Sequence, residues 1–257
     1  MLGAGDAGSV GTEKGMSVPI RGVLFDVDDT LFDYSSSEAA GLLAQLRADG
    51  LLDRFADPAA AVTLWREITE VEYHRFVVGE LTFAQQQLSR ARTFVSRLRG
   101  VAPSAVPDPE AAAWFTGYAA RRRAAWSAFP DAEPVLRHLA PGYRLGIVSN
   151  AAVPQQRRKL AAVGLLDFFG DRVVCSEEHG AAKPEPSIFL AGCALLGLAP
   201  REVAFVGDKY LVDAVGAHEA GLRSCWLDRA NIRSGTVIRD GIHVIDTLDH
   251  LPQLLTE

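Results

Sequence analysis

Six short apolar runs recur along this chain, most of them ending in an acidic or hydroxyl-bearing residue. They are Arg21–Asp26, Arg144–Ser149, Arg172–Ser176, Val203–Asp208, Leu222–Asp228 and a weaker copy at Ile242–Ile245. A brief apolar run without alternation marks a strand buried on both faces, as in a parallel sheet. Stretches with helical spacing separate most of them, among them Val153–Val163, Ser187–Leu196 and Leu211–Ala220. Strands alternating with helices of that length imply βαβ units, so the fold class is α/β, with helices on both faces of a parallel sheet.

One region breaks the alternation. From about Ser35 to Ala128 there are no strand-like runs of comparable quality. Helices are expected near Ser37–Ala48, Ala59–Val77, Thr82–Leu98 and Pro109–Ala125, with breaks at Gly50, Gly79 and Pro103–Pro109. Trp65, Ile68, Val71 and Glu72 illustrate the pattern, an apolar stripe flanked by charge. An all-helical insertion of about 90 residues fits four helices with short connections. The expected organisation is a flexible tail over 1–18, a sheet core from 19–34 and 129–257, and the inserted helical unit over 35–128.

Composition narrows the function classes. Hydrophobic residues at 48% and charged residues at 23% suit an ordinary folded protein. A net charge of −6 disfavours nucleic-acid or anionic-membrane binding, which need a basic field. Arg121-Arg122-Arg123 is the compact basic run, and it reads as a solvated helix face. No stretch approaches the roughly 20 apolar residues of a membrane span, and the Gly-rich start lacks the features of a signal peptide. Cysteines Cys175, Cys193 and Cys225 are scattered, which suits free thiols in a reducing compartment. The expected location is the cytoplasm, and oligomeric state is not legible.

The chemistry-bearing residues sit where the strands end. Asp26, Asp28 and Asp29 crowd three carboxylates into four residues, and a divalent cation or strong donors would relieve their repulsion. Taken alone, this segment reads equally as an acidic loop or a helix cap. The second strand ends in Ser149-Asn150, the fourth in Gly207-Asp208 with Asp213 shortly after, and Lys183 precedes a helix in Lys183-Pro184. The carboxyl ends of the strands of an open parallel sheet form its ligand crevice, so all of these share one rim. For Asp213, helix capping and metal binding remain open.

Asp26-Val27-Asp28-Asp29-Thr30-Leu31, Ser149-Asn150, Lys183-Pro184-Glu185-Pro186 and Gly207-Asp208 with Asp213 resemble, in order, the four motifs of the haloacid dehalogenase superfamily. Phe129-Pro130-Asp131-Ala132 and Gly216-Ala217 through Leu222 add to the resemblance, which covers nearly all of the chain after residue 20. Asp29 stands where glycine is common, and Lys209 after Asp208 is unusual. The resemblance implies a Rossmann-like core, a helical cap inserted after the first motif, and a phosphatase acting on a small phosphorylated metabolite. Its implied mechanism has Asp26 as nucleophile forming an aspartyl-phosphate, and Asp28 as general acid and base. Mg²⁺ would be held by Asp26, the Asp28 carbonyl and Asp208, with Asp213 in support. Ser149 and the Asn150 amide would bind the phosphoryl group, and Lys183 would neutralise charge on nucleophile and phosphate.

Within the same fold, a 2-haloacid dehalogenase would dispense with metal and generally lack the second aspartate, which Asp28 supplies here. A sugar phosphomutase would need cap groups that reorient a bisphosphate, and a non-catalytic phosphate-binding protein would be expected to lose a motif residue. Arg92, after Gly79-Glu80-Leu81-Thr82 and Arg90, is a candidate for the substrate's distal anionic group; the competing reading is a surface arginine. Hinges are expected near Tyr34–Ser36 and Ala128–Asp131, where the cap would open and close.

Overall fold

Strand β1, Gly22–Phe25, is buried along its whole length and lies at the centre of the sheet. Alternate residues of a strand face opposite sides, and here both sides are covered. Val23 and Phe25 join one apolar cluster with Ile147, Val206, Leu136 and Leu160. Leu24 joins another with Val148, Phe205, Ile188 and Phe189. The computed structural model describes residues 18–233 and 236–256, so the tail expected over 1–18 lies, but for Val18, outside them.

The sheet runs β3-β2-β1-β4-β5-β6, and every pairing is parallel. Its other strands are β2 (Arg144–Ser149), β3 (Val173–Cys175), β4 (Val203–Gly207), β5 (Arg223–Leu227) and β6 (Ile242–Ile245). Sequence order leaves β1 toward β2 on one side and resumes at β4 on the other. That reversal is the topological switch point where doubly wound folds bind ligands. Phe25 is level with Ile147 and Val206, so the chain after β1 emerges between the ends of β2 and β4.

Helices α1 (Tyr34–Ala48), α2 (Pro58–Val77), α3 (Phe83–Arg99) and α4 (Asp108–Ala124) follow β1. Local signals set their ends. Asp33 and Asp57 accept from the amides of Ser36 and Ala59, and Thr82 and Gln85 form a reciprocal capping box. The four helices share their own core of Leu42, Leu46, Trp65, Ile68, Phe94 and Tyr118. The stripe on α2 differs from the expected one, because Val71 is 60% exposed and Glu72 only 6%. The inward line Ala61, Trp65, Ile68, Glu72 follows spacings of four, three and four, and Glu72 is paired with Arg75 at 2.9 Å.

Chain entry and exit from these helices lie side by side. Phe32 bridges Ala128, and the Asp33 and Phe129 amides donate to the carbonyls of Ser127 and Leu31 at 3.0 Å each. After this crossing come α5 (Ala132–Leu139) and α6 (Val153–Ala162), then α7 (Ser176–His179) and α8 (Pro186–Leu196). A π-helical turn at Tyr210–Val215 leads into α9 (Gly216–Glu219), and α10 (Leu251–Leu254) closes the chain. The expected helix over Leu211–Ala220 is thus split, its first half widened into the π form that often marks functional sites. All three cysteines are buried free thiols, and burial pushes each pKa up. No helix among the described residues is long and apolar enough to cross a membrane.

Candidate functional site

Asp26 follows β1 directly, and its amide donates to the Val206 carbonyl at 2.9 Å, extending the β1–β4 ladder by one residue. That bond fixes the carboxylate at the switch point. Asp208 follows β4 on the neighbouring strand, and Asp213 returns from the π turn. Oxygens of Asp26, Asp208 and Asp213 all lie within 4.8 Å of one another. Gly207 makes this possible: a Cβ there would meet the Asp213 side chain at 2.5–2.6 Å. The Asp213 carboxylate accepts from the Lys209 amide at 2.9 Å, so it caps the π turn while facing the site.

Lys183 enters from the segment before α8. Its ammonium donates to Asp26 Oδ1 at 2.7 Å and forms an ion pair with Asp213 Oδ1 at 2.6 Å. Asn150 sets this position with its side chain: Nδ2 donates to the Lys183 carbonyl at 2.9 Å, and Oδ1 accepts from the Lys183 amide at 2.7 Å. Burial alone would neutralise Lys183, but Asp213 and Asp26 outweigh it and hold the ammonium charged.

The carboxylates remain short of positive charge. Burial, with Asp213 and Asp28 adding and Lys183 opposing, pushes Asp26 up to about 6. Burial, then the charges of Asp26 and Asp213, pushes Asp208 up to about 8. Lys183 pairs with Asp26 and Asp213, and the charge of Lys209 opposes the shift of Asp208 without overcoming it. Asp208 Oδ1 is buried there with no hydrogen-bond partner. An all-oxygen donor set, an orphaned carboxylate oxygen and carboxyls driven toward protonation for want of positive charge fit a small hard divalent cation such as Mg²⁺.

Asp28 does not stand free beside Asp26. Lys159, from α6 and 1% exposed, reaches both of its oxygens at 2.6 and 2.7 Å. Gln156, one turn earlier, donates from Nε2 to Asp28 Oδ2 at 3.0 Å and to Ser149 Oγ at 2.9 Å. One amide thus ties the expected general acid to the expected phosphate-binding hydroxyl. Asp29 takes a left-handed backbone, φ 59°, and accepts from the amide and hydroxyl of Ser35 at 2.8 Å each. Aspartate tolerates that region better than most residues, which accounts for its standing where glycine is common.

Residues 20–221 match the family model described as haloacid dehalogenase-like hydrolase. The chain belongs to that family. As a haloacid dehalogenase-like hydrolase it is 33% identical over 206 residues to glyceraldehyde 3-phosphate phosphatase of Methanopyrus kandleri, covering 79% of this chain and 82% of the relative. It is 33% identical over 204 residues to phosphoglycolate phosphatase of Cereibacter sphaeroides, with 79% and 82% covered. In fold it resembles the magnesium-bound HAD-hydrolase YfnB of Bacillus subtilis, with a TM-score of 0.73, 22% identity, and 93% and 100% of the two chains covered.

Two groups in this haloacid dehalogenase-like hydrolase escaped the sequence reading, Lys159 and Gln156. The available signal was their spacing of three on a helix that starts just after Ser149-Asn150, which turns both toward that strand end. Of the two readings of Arg92, the surface one holds. Arg92 does not face the site but pairs with Asp108 across the outer surface of α3 and α4. The triplet 121–123 is a solvated face only in part: Arg123 is exposed, but Arg121 donates to Gln45 Oε1 at 2.8 Å and Arg122 lies against the rings of Tyr34 and Tyr118.

Proposed function

We propose that this hydrolase is a Mg²⁺-dependent phosphatase that cleaves small phosphate monoesters through an aspartyl-phosphate on Asp26. The observation that carries the reading is the buried cluster of Asp26, Asp208, Asp213 and Lys183. Family membership makes the chain a hydrolase, and the phosphatase names of its relatives support phosphate monoesters as the substrates.

In this reading Asp26 attacks phosphorus from its place at the end of β1, and Lys183 balances charge on the nucleophile and the incoming phosphoryl oxygens. Ser149 and the Asn150 amide hold the remaining oxygens. Asp28 gives its proton to the departing alkoxide, then takes one from the water that cleaves the acyl-phosphate. Splitting the displacement into two steps lets one carboxylate serve both halves. Lys159 and Gln156 orient Asp28 between those steps. Mg²⁺, held by Asp26, the Asp28 carbonyl and Asp208 with Asp213 behind them, would neutralise phosphoryl charge when bound. Helices α1 to α4 act as the cap, hinged at the paired strands around Phe32 and Ala128, and closure excludes water.

Phosphate release from a monoester panel, with and without Mg²⁺, tests the class on the wild type and Asp26→Asn. The expected result is metal-dependent release abolished by the substitution, with a phosphoryl adduct on the Asp26 peptide after acid quench. Release that survives either chelation or Asp26→Asn would refute the mechanism.

A further inference from the structure

The helical unit buries one arginine and half-buries another without pairing either with a carboxylate. Arg90 on α3 is 6% exposed. Its guanidinium lies 5.5 Å from the ring centroids of Trp65 and Phe115. Its polar contact is Nη1 to Thr69 Oγ1 at 3.5 Å, the limit of bonding, and Nε is buried with no partner. Arg122 on α4 lies 5.6 Å from the rings of Tyr34 and Tyr118; Nη1 donates to the Tyr34 hydroxyl at 3.4 Å and Nε has no partner. The Tyr118 hydroxyl and Gln86 Oε1 beside them are also buried and unbonded. The nearby buried carboxylate, Glu38, is engaged by Arg66 at 3.3 Å. Among the described residues neither Arg90 nor Arg122 forms an ion pair.

Rings on either side of a guanidinium return part of the hydration it loses, but not all of it. Unbonded buried donors add to the deficit. The fold has gone out of its way to bring Arg122 inward: a Cβ on Gly41 of α1 would strike the Arg122 backbone at 2.6 Å, so the glycine is what lets α1 and α4 close around it. The pair also has an address. The Tyr34 ring that faces Arg122 lies 5.3 Å from Lys159 Nζ, and Lys159 holds Asp28. Arg122 is therefore one aromatic ring from Lys159, the side chain that holds the expected general acid.

We propose that Arg90 and Arg122 bind a second anionic group on the substrate, making the substrate class small phosphate monoesters that carry a carboxylate or second phosphate remote from the scissile ester. The proposal rests on the phosphatase reading and names the substrate end that reading leaves open. A guanidinium fork suits either anion.

Matched alkyl phosphates that differ at the far end alone, as neutral alcohol, carboxylate or phosphate, with spacers from ethylene to pentylene, provide the test. Their binding to the Asp26→Asn protein with Mg²⁺ is measured by calorimetry, and their kcat/KM on the wild type. At least one anionic series should bind about 10- to 100-fold more tightly than its alcohol. Adding Arg90→Met or Arg122→Met should bring that ratio to about one, with circular dichroism and Tm showing the fold intact. Which series prevails tells carboxylate from phosphate. Equal affinity across all three ends, or a preference that survives both methionine variants, overturns the proposal. A purely structural arginine would lower Tm and leave the ratio alone. Wild-type hydrolysis of p-nitrophenyl phosphate reports on the phosphatase reading separately, since the binding arm needs no turnover.

Discussion

Asp131→Asn removes one charge and almost no volume from the junction of three segments. Asp131 Oδ1 accepts from Arg229 Nη2 at 2.8 Å, and Oδ2 accepts from Arg229 Nη1 at 2.8 Å. Oδ2 also takes the Thr247 hydroxyl and the Leu248 amide, both at 2.9 Å. Arg229 Nη2 donates in addition to the Thr30 carbonyl at 2.9 Å, in the loop that carries Asp28, and the guanidinium lies 3.9 Å from the Phe129 ring centroid. Asparagine offers one acceptor oxygen, so however its amide turns, an Arg229 N–H meets an NH₂ group. Hydrogen bonds to charged groups contribute about 1.5–3 kcal/mol, and removing one partner of a fully buried pair costs about 3–5 kcal/mol. Asp131 is 8% exposed, but the Arg229 side chain is 20% exposed, so water softens the loss and a destabilisation of about 2–3 kcal/mol is expected. For a chain of this size that lowers Tm by about 5–10 °C.

The pH dependence separates the charge from the shape. Burial opposes ionisation of Asp131, but the Arg229 hydrogen bonds and the Leu248 amide outweigh it and hold the carboxyl below its ordinary value. A carboxyl depressed in the folded state contributes stability in full above its unfolded pKa, about 3.9, and loses it as pH falls through the folded value. Urea unfolding followed by tryptophan fluorescence should show the full gap between wild type and variant from about pH 5 to 8, narrowing below about pH 4. A gap under about 0.5 kcal/mol at neutral pH, or one that stays unchanged in acid, would refute the account of Asp131 as a charged clamp.

Mg²⁺ affinity should rise with pH up to about 8, because the free site holds protons on Asp208 and Asp26 that the ion must displace; flat affinity from calorimetry between about pH 6 and 8 would contradict this. Lys159→Met should slow alkyl phosphates by about 10²-fold or more, the range of general acid catalysis. Aryl phosphates, whose leaving groups need no proton, should lose far less, so an equal loss on both would deny Lys159 a role through Asp28. Gly207→Ala should displace Asp213, cost about 1–3 kcal/mol by overpacking and lower kcat; unchanged Tm and kcat would mean that Asp213 is free to move.

The sheet was legible because a strand buried on both faces leaves a continuous apolar run, and all six such runs became strands. Gly-Asp after β4 and Phe-Asp after β1 were legible for a related reason. An acid that ends an apolar run has few structural explanations, so Asp26 and Asp208 stood out before any contact was known. Asp213 stayed ambiguous in sequence because capping and site-facing use the same carboxylate, and here it does both, with one oxygen toward the Lys209 amide and the other toward Lys183. The same overlap hid the side-chain role of Asn150, whose two bonds to Lys183 run between segments 33 residues apart.

Helix faces keep their secrets better, for a physical reason. A lysine or arginine on a helix is usually solvated, and its one-dimensional context is the same whether its turn points out or in. Lys159 follows Arg157-Arg158 and looks like one more surface charge, yet it is buried against Asp28. Arg90 and Arg92 are two residues apart, which on a helix turns them about 200° from each other. Arg90 went to the core and Arg92 to Asp108, so the surface reading of Arg92 holds and the substrate-facing one does not. The strand ends bring the reacting groups to the rim by backbone geometry alone. The choice of acid position and substrate end falls to long side chains on α3, α4 and α6, whose direction is fixed only when close contacts such as Gly41 against Arg122 set how the helices roll. A substitution at Gly41 should therefore disturb recognition before it disturbs the chemistry at Asp26.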